Sequence, residues 1–254
     1  MLNEERKRKI VDITNERKSV TINELMDILG ASQSTIRRDL SELNRAKMLK
    51  KVHGGAISLK NNILTRDETV LQRQDLNTKS KKAIAEYAAS LIKENDVVYL
   101  DAGTTTAEML PFLENVKAIY ITDCISHARI LAAYGHQVYL PGGKVKVMTD
   151  ALIGADTLKY LEKMNFTIGF FGANGISIQE GFTTPDPEEG EIKRTAFLHC
   201  AETYILADLS KFNVVCTYTF APIDKGFIVT DSSIPKAYKD LHNTILVDMI
   251  EKPY

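Results

Sequence analysis

Seven short apolar runs, each followed by a polar or glycine-bearing loop, constrain the fold of this chain more than any other feature of its sequence. They lie near residues 97–100, 118–122, 137–140, 167–171, 203–207, 227–230 and 244–247. Stretches with helical spacing accompany them, at 79–94, 105–113, 125–133, 156–164 and 188–199. Parallel strands need long crossovers, and a helix is the crossover that also covers a sheet face. The alternation therefore predicts a largely parallel, doubly wound α/β sheet.

The first 59 residues follow a different rule. Residues 4–18 are strongly charged, with Ile10, Val11 and Ile13 as one apolar patch, and read as a first helix. Thr21 and Glu24 have the spacing of a capping box. Ile22, Leu25, Met26 and Leu29 then fall at i, i+3, i+4 and i+7, one face of a second helix. Gly30 ends it, and Ser32 caps a third helix that buries Ile36, Leu40 and Leu43. Two short helices around a tight glycine turn make a helix-turn-helix. Residues 48–53 and 56–59 flank Gly54-Gly55. Both glycines can take positive φ, so the segment reads as a hairpin, or wing. Residues 60–76 are polar and weakly periodic, which reads as a linker. The expected organisation is a winged helix-turn-helix at 1–59, a linker at 60–76 and an α/β domain at 77–254.

Charge divides along the same line. Residues 1–56 hold 12 Lys+Arg against 8 Asp+Glu, and the remainder holds 20 against 25. A basic head on an acidic body suits a chain whose head alone meets a polyanion. No apolar run is long enough for a membrane span, and the charged start does not suit a signal peptide. Cys124, Cys200 and Cys216 have no metal-ligand spacing and read as free thiols of a reducing cytosol. Neither a metal nor a cofactor is expected.

The sharpest local signal is the third helix. Gln33, Ser34 and Thr35 stand at its N-terminal end, where a recognition helix meets base edges. Arg37 and Arg38 are placed for guanine edges or phosphates. Lys50, Lys51 and His53 on the wing suit neighbouring phosphates or a minor groove. The bland alternative is an ordinary charged surface helix. The run Thr35-Ile36-Arg37-Arg38-Asp39-Leu40, followed by Val52-His53-Gly54-Gly55-Ala56, resembles the signature of the DeoR family of bacterial repressors. Lys47 stands where that family usually ends the helix with glycine.

A second signal follows the first apolar run of the body. Asp101-Ala102-Gly103-Thr104-Thr105 is a strand-to-helix loop whose N–H groups and hydroxyls suit a phosphate. Gly103 permits close approach, and Asp101 suits a sugar hydroxyl better than an anion. An N-cap without ligand is the plain alternative. Other strand ends deliver Asp123, Gly142-Gly143-Lys144, Asn174-Gly175 and Lys211, and ligands of open α/β sheets bind at carboxyl ends of strands. Glu189 and Lys193 lie on the helix at 188–199, where Lys193 could supply a cation.

These segments also resemble the DeoR-family effector domain, which is similar to ribose-5-phosphate isomerase. Residues 100–113 and 181–189 resemble the fructose-operon branch, and that resemblance implies fructose 1-phosphate as effector. Asp123 replaces the family's usual Asn. The expected function is an operator-binding repressor of sugar-use genes, acting as a homodimer or homotetramer under control of a phosphorylated sugar. The rival is a sugar-phosphate isomerase with an added head. The related isomerases carry an acid-rich Gly-Ala-Asp-Glu-x-Asp stretch, whereas the corresponding segment here reads Gly172-Ala173-Asn174-Gly175-Ile176-Ser177. An amide and a hydroxyl cannot abstract a carbon-bound proton near neutral pH, although Asp101, Asp123 and Glu189 remain as possible bases.

Overall fold

The computed structural model describes residues 3–17, 19–46, 48–58, 63–66 and 69–248. The chain divides into two compact units, residues 1–62 and 63–254.

The first unit runs α1 (Asn3–Arg17), β1 (Ser19–Thr21), α2 (Ile22–Leu29), α3 (Gln33–Arg45), β2 (Leu49–Val52) and β3 (Gly55–Ser58). Thr21 accepts from the Glu24 N–H at 3.2 Å, and Glu24 accepts from the Thr21 N–H at 2.7 Å, which completes the capping box of α2. Gly30 closes that helix in the left-handed region at φ 60°. Ile10, Leu25, Ile36 and Leu40 are fully buried in the small core of this unit. Lys47 and the expected end of the head at residue 59 lie outside the described residues.

The wing differs by one residue from the sequence expectation. His53 and Gly54 form the turn, and only Gly54 has positive φ, at 87°. Gly55 is instead the first residue of β3, paired with Val52 on one side and Thr21 on the other. A Cβ added there would stand 2.1 Å from the Val20 carbonyl oxygen. Glycine is required at 55 by the close passage of β1, and at 54 by backbone conformation.

The second unit begins with α4 (Val70–Gln74) and α5 (Thr78–Ser90). It continues with β4 (Val97–Leu100), α6 (Thr104–Ala107), β5 (Ile119–Thr122), α7 (Ile125–Ala133), β6 (Gln137–Tyr139), β7 (Lys144–Lys146), β8 (Ala151–Ile153), α8 (Ala155–Leu161), β9 (Phe166–Gly172), β10 (Gly175–Ser177) and β11 (Gly181–Thr184). It ends with α9 (Pro187–Leu198), β12 (Cys200–Leu206), β13 (Tyr218–Ala221), β14 (Phe227–Asp231), α10 (Lys236–Lys239) and β15 (Thr244–Val247).

Seven strands form one sheet in the order β15-β14-β12-β9-β4-β5-β6. All its pairings are parallel. Alternation along the strands feeds two cores. Tyr99, Phe171, Ile205 and Ile228 face one side, where α8 and α9 pack. Val98, Leu100, Phe170 and Leu206 face the other, against α5. The chain builds outward from β4 to β6, then returns to the opposite side of β4 with β9. The strand order thus reverses between β4 and β9, and their carboxyl ends open a crevice there.

Two features were not legible beforehand. A small antiparallel sheet, β10-β11-β13, and a ribbon, β7-β8, stand beside the main sheet. The stretch at 105–113 is not one helix: α6 spans a single turn, and a 3-10 turn at Leu110–Phe112 follows with Pro111 inside it. The linker expectation also needs correcting. Residues 60–62, 67 and 68 lie outside the described residues, but 63–66 and 69–76 are attached to the second unit and include α4. Its polar composition hid a helix secured by a second capping box, between Thr69 and Gln72.

Gly55→Ala should destabilise the head by at least about 2 kcal/mol, since backbone atoms must move to admit the methyl group. Gly54→Ala meets nothing within 4 Å and should cost about 1 kcal/mol through its φ alone. Amide hydrogen exchange of β1–β3 in the full chain measures both, and equal effects would refute the close-passage reading.

Candidate functional site

In the first unit, the candidate nucleic-acid interface is the outer face of α3 with the wing. Ser32 caps α3, its Oγ accepting from the Thr35 N–H at 3.4 Å and lying 2.9 Å from the Thr35 Oγ1. Gln33 and Ser34 are exposed and Thr35 is half-buried. Arg37 and Arg38 are exposed, with the Arg38 Nε 4.0 Å from Glu42 Oε1. Lys50 and His53 are exposed on the wing. Lys51 is less available than its spacing suggests, because its ammonium donates to the Ser41 Oγ at 2.6 Å. Its N–H donates to the Asn44 Oδ1 at 2.8 Å, which ties the wing to α3.

One organising residue escaped the sequence reading. Asp39 is fully buried on α3 and accepts from the Arg6 Nε at 2.6 Å. The hydrogen bond raises the Arg6 pKa further, against a smaller opposing effect of burial. The pair fixes α1 against α3. The signal was available: Asp39 lies at i+3 from Ile36 on a face otherwise apolar, and a carboxylate there demands a cation.

In the second unit, a cleft of about 440 Å³, open mouth included, lies at the carboxyl ends of β4, β9 and β12. Its walls bring together Gly103, Thr104, Thr105, Asn174, Glu189, Lys193 and Lys211. Ala102 of the expected loop and Gly172 at the end of β9 also line it, as do Arg73 and Thr149, neither of which was anticipated. Arg73 was concealed in a polar stretch, and nothing local marks Thr149.

Asp101 sits beneath the cleft. It is fully buried, and its Oδ2 accepts from the Lys193 ammonium and, at 2.8 Å, from the Gly172 N–H. It is therefore a brace between β4, β9 and α9. Burial pushes its pKa up, while Lys193 and the Gly172 N–H pull the other way. Burial pulls the Lys193 ammonium down, but Asp101, Glu189 and Asp123 outweigh it and keep the lysine charged.

Glu189 accepts from the Thr149 hydroxyl and pairs with Lys146 at 3.1 Å. Lys146 also reaches Asp186, the N-cap of α9, at 2.7 Å. Asn174 Oδ1 accepts from the Thr184 hydroxyl at 3.2 Å.

Asp123 stands behind the loop rather than in the cleft wall, its Oδ1 accepting from the Ala102 N–H at 2.9 Å. Burial, reinforced by the Asp101 charge, pushes it up to about 8. His127 on α7, buried nearby, is driven down to about 4 by burial.

The other expected residues lie apart from the cleft walls. Gly142 accepts from the Thr157 hydroxyl at 2.8 Å, and Gly143, at φ 148°, is packed against Thr157 and Ile153. Lys144 is exposed on β7. A Cβ at Gly175 would stand 2.5 Å from the Val214 oxygen, so that glycine serves strand packing.

The cleft thus combines the threonine-bearing loop after β4 with the side chains of Arg73, Lys193 and Lys211. Such a set suits a small anion bearing hydroxyl groups.

Residues 6–62 match the family described as DeoR-like helix-turn-helix domain, and residues 76–232 match DeoR C terminal sensor domain. A protein of Bacillus subtilis (strain 168) described as uncharacterized HTH-type transcriptional regulator FruR is 38% identical over 252 residues, covering 99% of this chain and all of that protein. The HTH-type transcriptional regulator GlpR of Haloferax volcanii is 33% identical over 92% of each chain. The lactose phosphotransferase system repressor of Staphylococcus epidermidis is 34% identical over 80% of this chain and 81% of its own. Among solved structures, ribose 5-phosphate isomerase A of Methanocaldococcus jannaschii overlaps 54% of this chain and 55% of its own, with 17% identity and TM-score 0.41. Among the described residues, no helix is long and apolar enough to cross a membrane.

Asp123 makes stability depend on pH. Its folded pKa of about 8 lies above its unfolded value, so the folded state holds the proton more tightly. The contribution is complete below about pH 4 and is lost as pH rises towards 8. Asp123→Asn keeps an acceptor for the Ala102 N–H and removes the ionisation. This variant should gain at least about 1 kcal/mol at pH 8 and show a flatter stability profile between pH 4 and 8. Urea unfolding across that range measures it, and a parallel profile in both proteins would refute it.

Proposed function

Because the chain belongs to the DeoR family of transcriptional regulators, we propose that it represses sugar-utilisation genes and that a phosphorylated sugar in the cleft controls its grip on the operator. The observation that carries this reading is the composition of the cleft at the switch point. Residues 103–105 provide N–H groups and hydroxyls, and Arg73, Lys193 and Lys211 stand around them. α6 is only one turn long, so the grip comes from the loop and the cations rather than from a helix dipole. Asn174, Thr149 and Glu189 line the same cleft.

Fructose 1-phosphate is the ligand implied by the resemblance of residues 100–113 and 181–189 to the fructose-operon branch. The head grips DNA with α3 in the major groove and the wing on adjacent phosphates. Two or four copies supply paired heads for paired half-sites. A ligand that binds one arrangement of the second unit better shifts the population of the operator-competent state.

A sensor is favoured over an isomerase by where the carboxylates are. Asn174 lines the cleft and falls in the segment that resembles the isomerases' acid-rich stretch. Asp101 is committed to Lys193 and Gly172, and Glu189 to Lys146 and Thr149. A general base must reach the proton it removes.

Two outcomes test this function. Arg37→Ala and Arg38→Ala should each weaken operator binding by about 1–3 kcal/mol if the side chain reads a base, while Lys50→Ala should weaken all DNA sequences alike. Fluorescence anisotropy with operator and scrambled duplexes separates the two, and wild-type affinity in both arginine variants would refute the recognition helix. Fructose 1-phosphate should raise the melting temperature with concentration, because it binds only the folded chain. It should also alter operator affinity and be recovered unchanged, whereas fructose should do little. Equal stabilisation by both sugars would remove the phosphate site.

A further inference from the structure

Two carboxyl groups stand side by side behind the loop that lines the cleft. β4 and β5 are parallel neighbours, with Leu100 opposite Thr122. One residue further, the same register sets Asp101 opposite Asp123. Two positions before them, Tyr99 and Ile121 both pack in the core on the α8 and α9 side, and alternation turns both carboxyl groups the same way. Asp101 is fully buried and Asp123 nearly so. Donors to the pair are unevenly placed. The Lys193 ammonium and the Gly172 N–H both go to Asp101 Oδ2, and the Ala102 N–H goes to Asp123 Oδ1. Asp101 Oδ1 is buried with no hydrogen-bond partner among the described residues. A buried oxygen without a donor is costly, and two adjacent buried carboxylates resist ionising together. One proton held between them answers both demands.

We propose that Asp123 is a carboxylic acid at neutral pH, that it donates its proton to Asp101 Oδ1, and that the loop after β4 takes an anion only while that proton is in place. This rests on the reading of the cleft as a sugar-phosphate site. Asp123 holds the proton because Asp101 has the Lys193 ammonium, whereas Asp123 has a single neutral N–H. Ala102 lines the cleft, so an ionised Asp123 would place a full negative charge one hydrogen bond from residues 103–105. Such a charge is poorly screened in a buried place and repels an incoming phosphate. The neutral acid still accepts from Ala102 and keeps the loop in position without the charge. When an anion binds to protein that has lost this proton, solvent returns it to Asp123. Asp123 is thus a positioning residue that acts through the loop.

Burial and the Asp101 charge push Asp123 up to about 8. Burial also keeps three neighbours uncharged at that pH. The Tyr99 phenol on β4 is held well above its ordinary value, and the Cys124 thiol, at the N-cap of α7, is pushed up to about 12. His127 on α7 is driven down to about 4. Lys193 on α9 stays charged. The carboxylates of Glu189 and Asp150 have their own partners, in Lys146 and the Ser126 N–H.

Titration calorimetry of the full chain with fructose 1-phosphate at pH 7, 8 and 9 compares wild type, Asp123→Asn and Glu86→Gln. Glu86 is exposed on α5 outside the cleft wall. Above pH 7 a phosphomonoester is already close to a dianion, so its own ionisation adds little. Wild type and Glu86→Gln should bind about tenfold more weakly at pH 9 than at pH 7 and take up a proton on binding at pH 9, read from heats in buffers of different ionisation enthalpy. Asp123→Asn should bind alike at all three, because its amide stays neutral. Infrared spectroscopy without ligand reads the proton itself: wild type at pH 7 should show a protonated carboxyl band that Asp123→Asn lacks. Equal pH profiles of binding in wild type and Asp123→Asn overturn the link to the anion. A band that persists in Asp123→Asn, or that wild type lacks, overturns the assignment of the proton. If Asp123→Asn loses its fold, wild type decides: a band lost with a midpoint near pH 8, together with proton uptake on binding, supports the proposal, and absence of either overturns it. Failure of wild type to bind fructose 1-phosphate, ribose 5-phosphate or inorganic phosphate at pH 7 removes the reading of the cleft and the anion link with it, while the infrared band judges the proton separately.

Discussion

The ion pair between Asp101 and Lys193 is the constraint on which the second unit depends. Asp101 follows β4, Gly172 ends β9, and Lys193 sits in the middle of α9. One carboxylate oxygen joins all three. The join falls where the strand order reverses and no neighbouring strand fills the crevice. A buried charge without its partner costs several kcal/mol, so neither residue tolerates loss of the other. The pair gives little stability beyond what an apolar pair of the same volume would give, but it defines the floor of the cleft to hydrogen-bond precision. The Lys193 ammonium also lies 6.0 Å from the Phe220 ring centroid, which links the floor to the small antiparallel sheet.

Charge around that floor is graded with depth. Asp123, behind the loop, is displaced towards its neutral form by burial and by Asp101. Glu189 is balanced by Lys146. The cleft wall itself carries Arg73, Lys193 and Lys211 beside the residue 103–105 loop.

Much of this was legible in the sequence because it depended on local pattern. Each of the seven strands of the main sheet announced itself as a short apolar run, and Thr21, Gly30 and Ser32 marked the limits of α2 and α3 by side-chain chemistry alone. The Gly103–Thr105 loop was visible because a strand end and a helix start meet there. What remained hidden depended on contacts distant in sequence. Arg73 is one polar residue among glutamines, and nothing local marks its place in the cleft wall. Gly142 and Gly143 looked like a ligand loop; in the structure the Gly142 carbonyl takes the Thr157 hydroxyl, and the small size of Gly143 makes room for Thr157 and Ile153. Asp101 looked like a ligand group because its strand-end position was readable, whereas its partner on α9, 92 positions away, was not.

The fastening of Leu64 has a consequence for the order in which the molecule is built. The first unit has its own core. The cleft is different, because Leu64 and Arg73 are made early, but Leu64 pairs with Thr217, 153 positions further on. Contacts of such separation form late, since the intervening chain must first lose its freedom. Until β9, β12 and the loop after it exist, Arg73 has no cleft to line. A nascent chain therefore carries the first unit before the cleft of the second is finished.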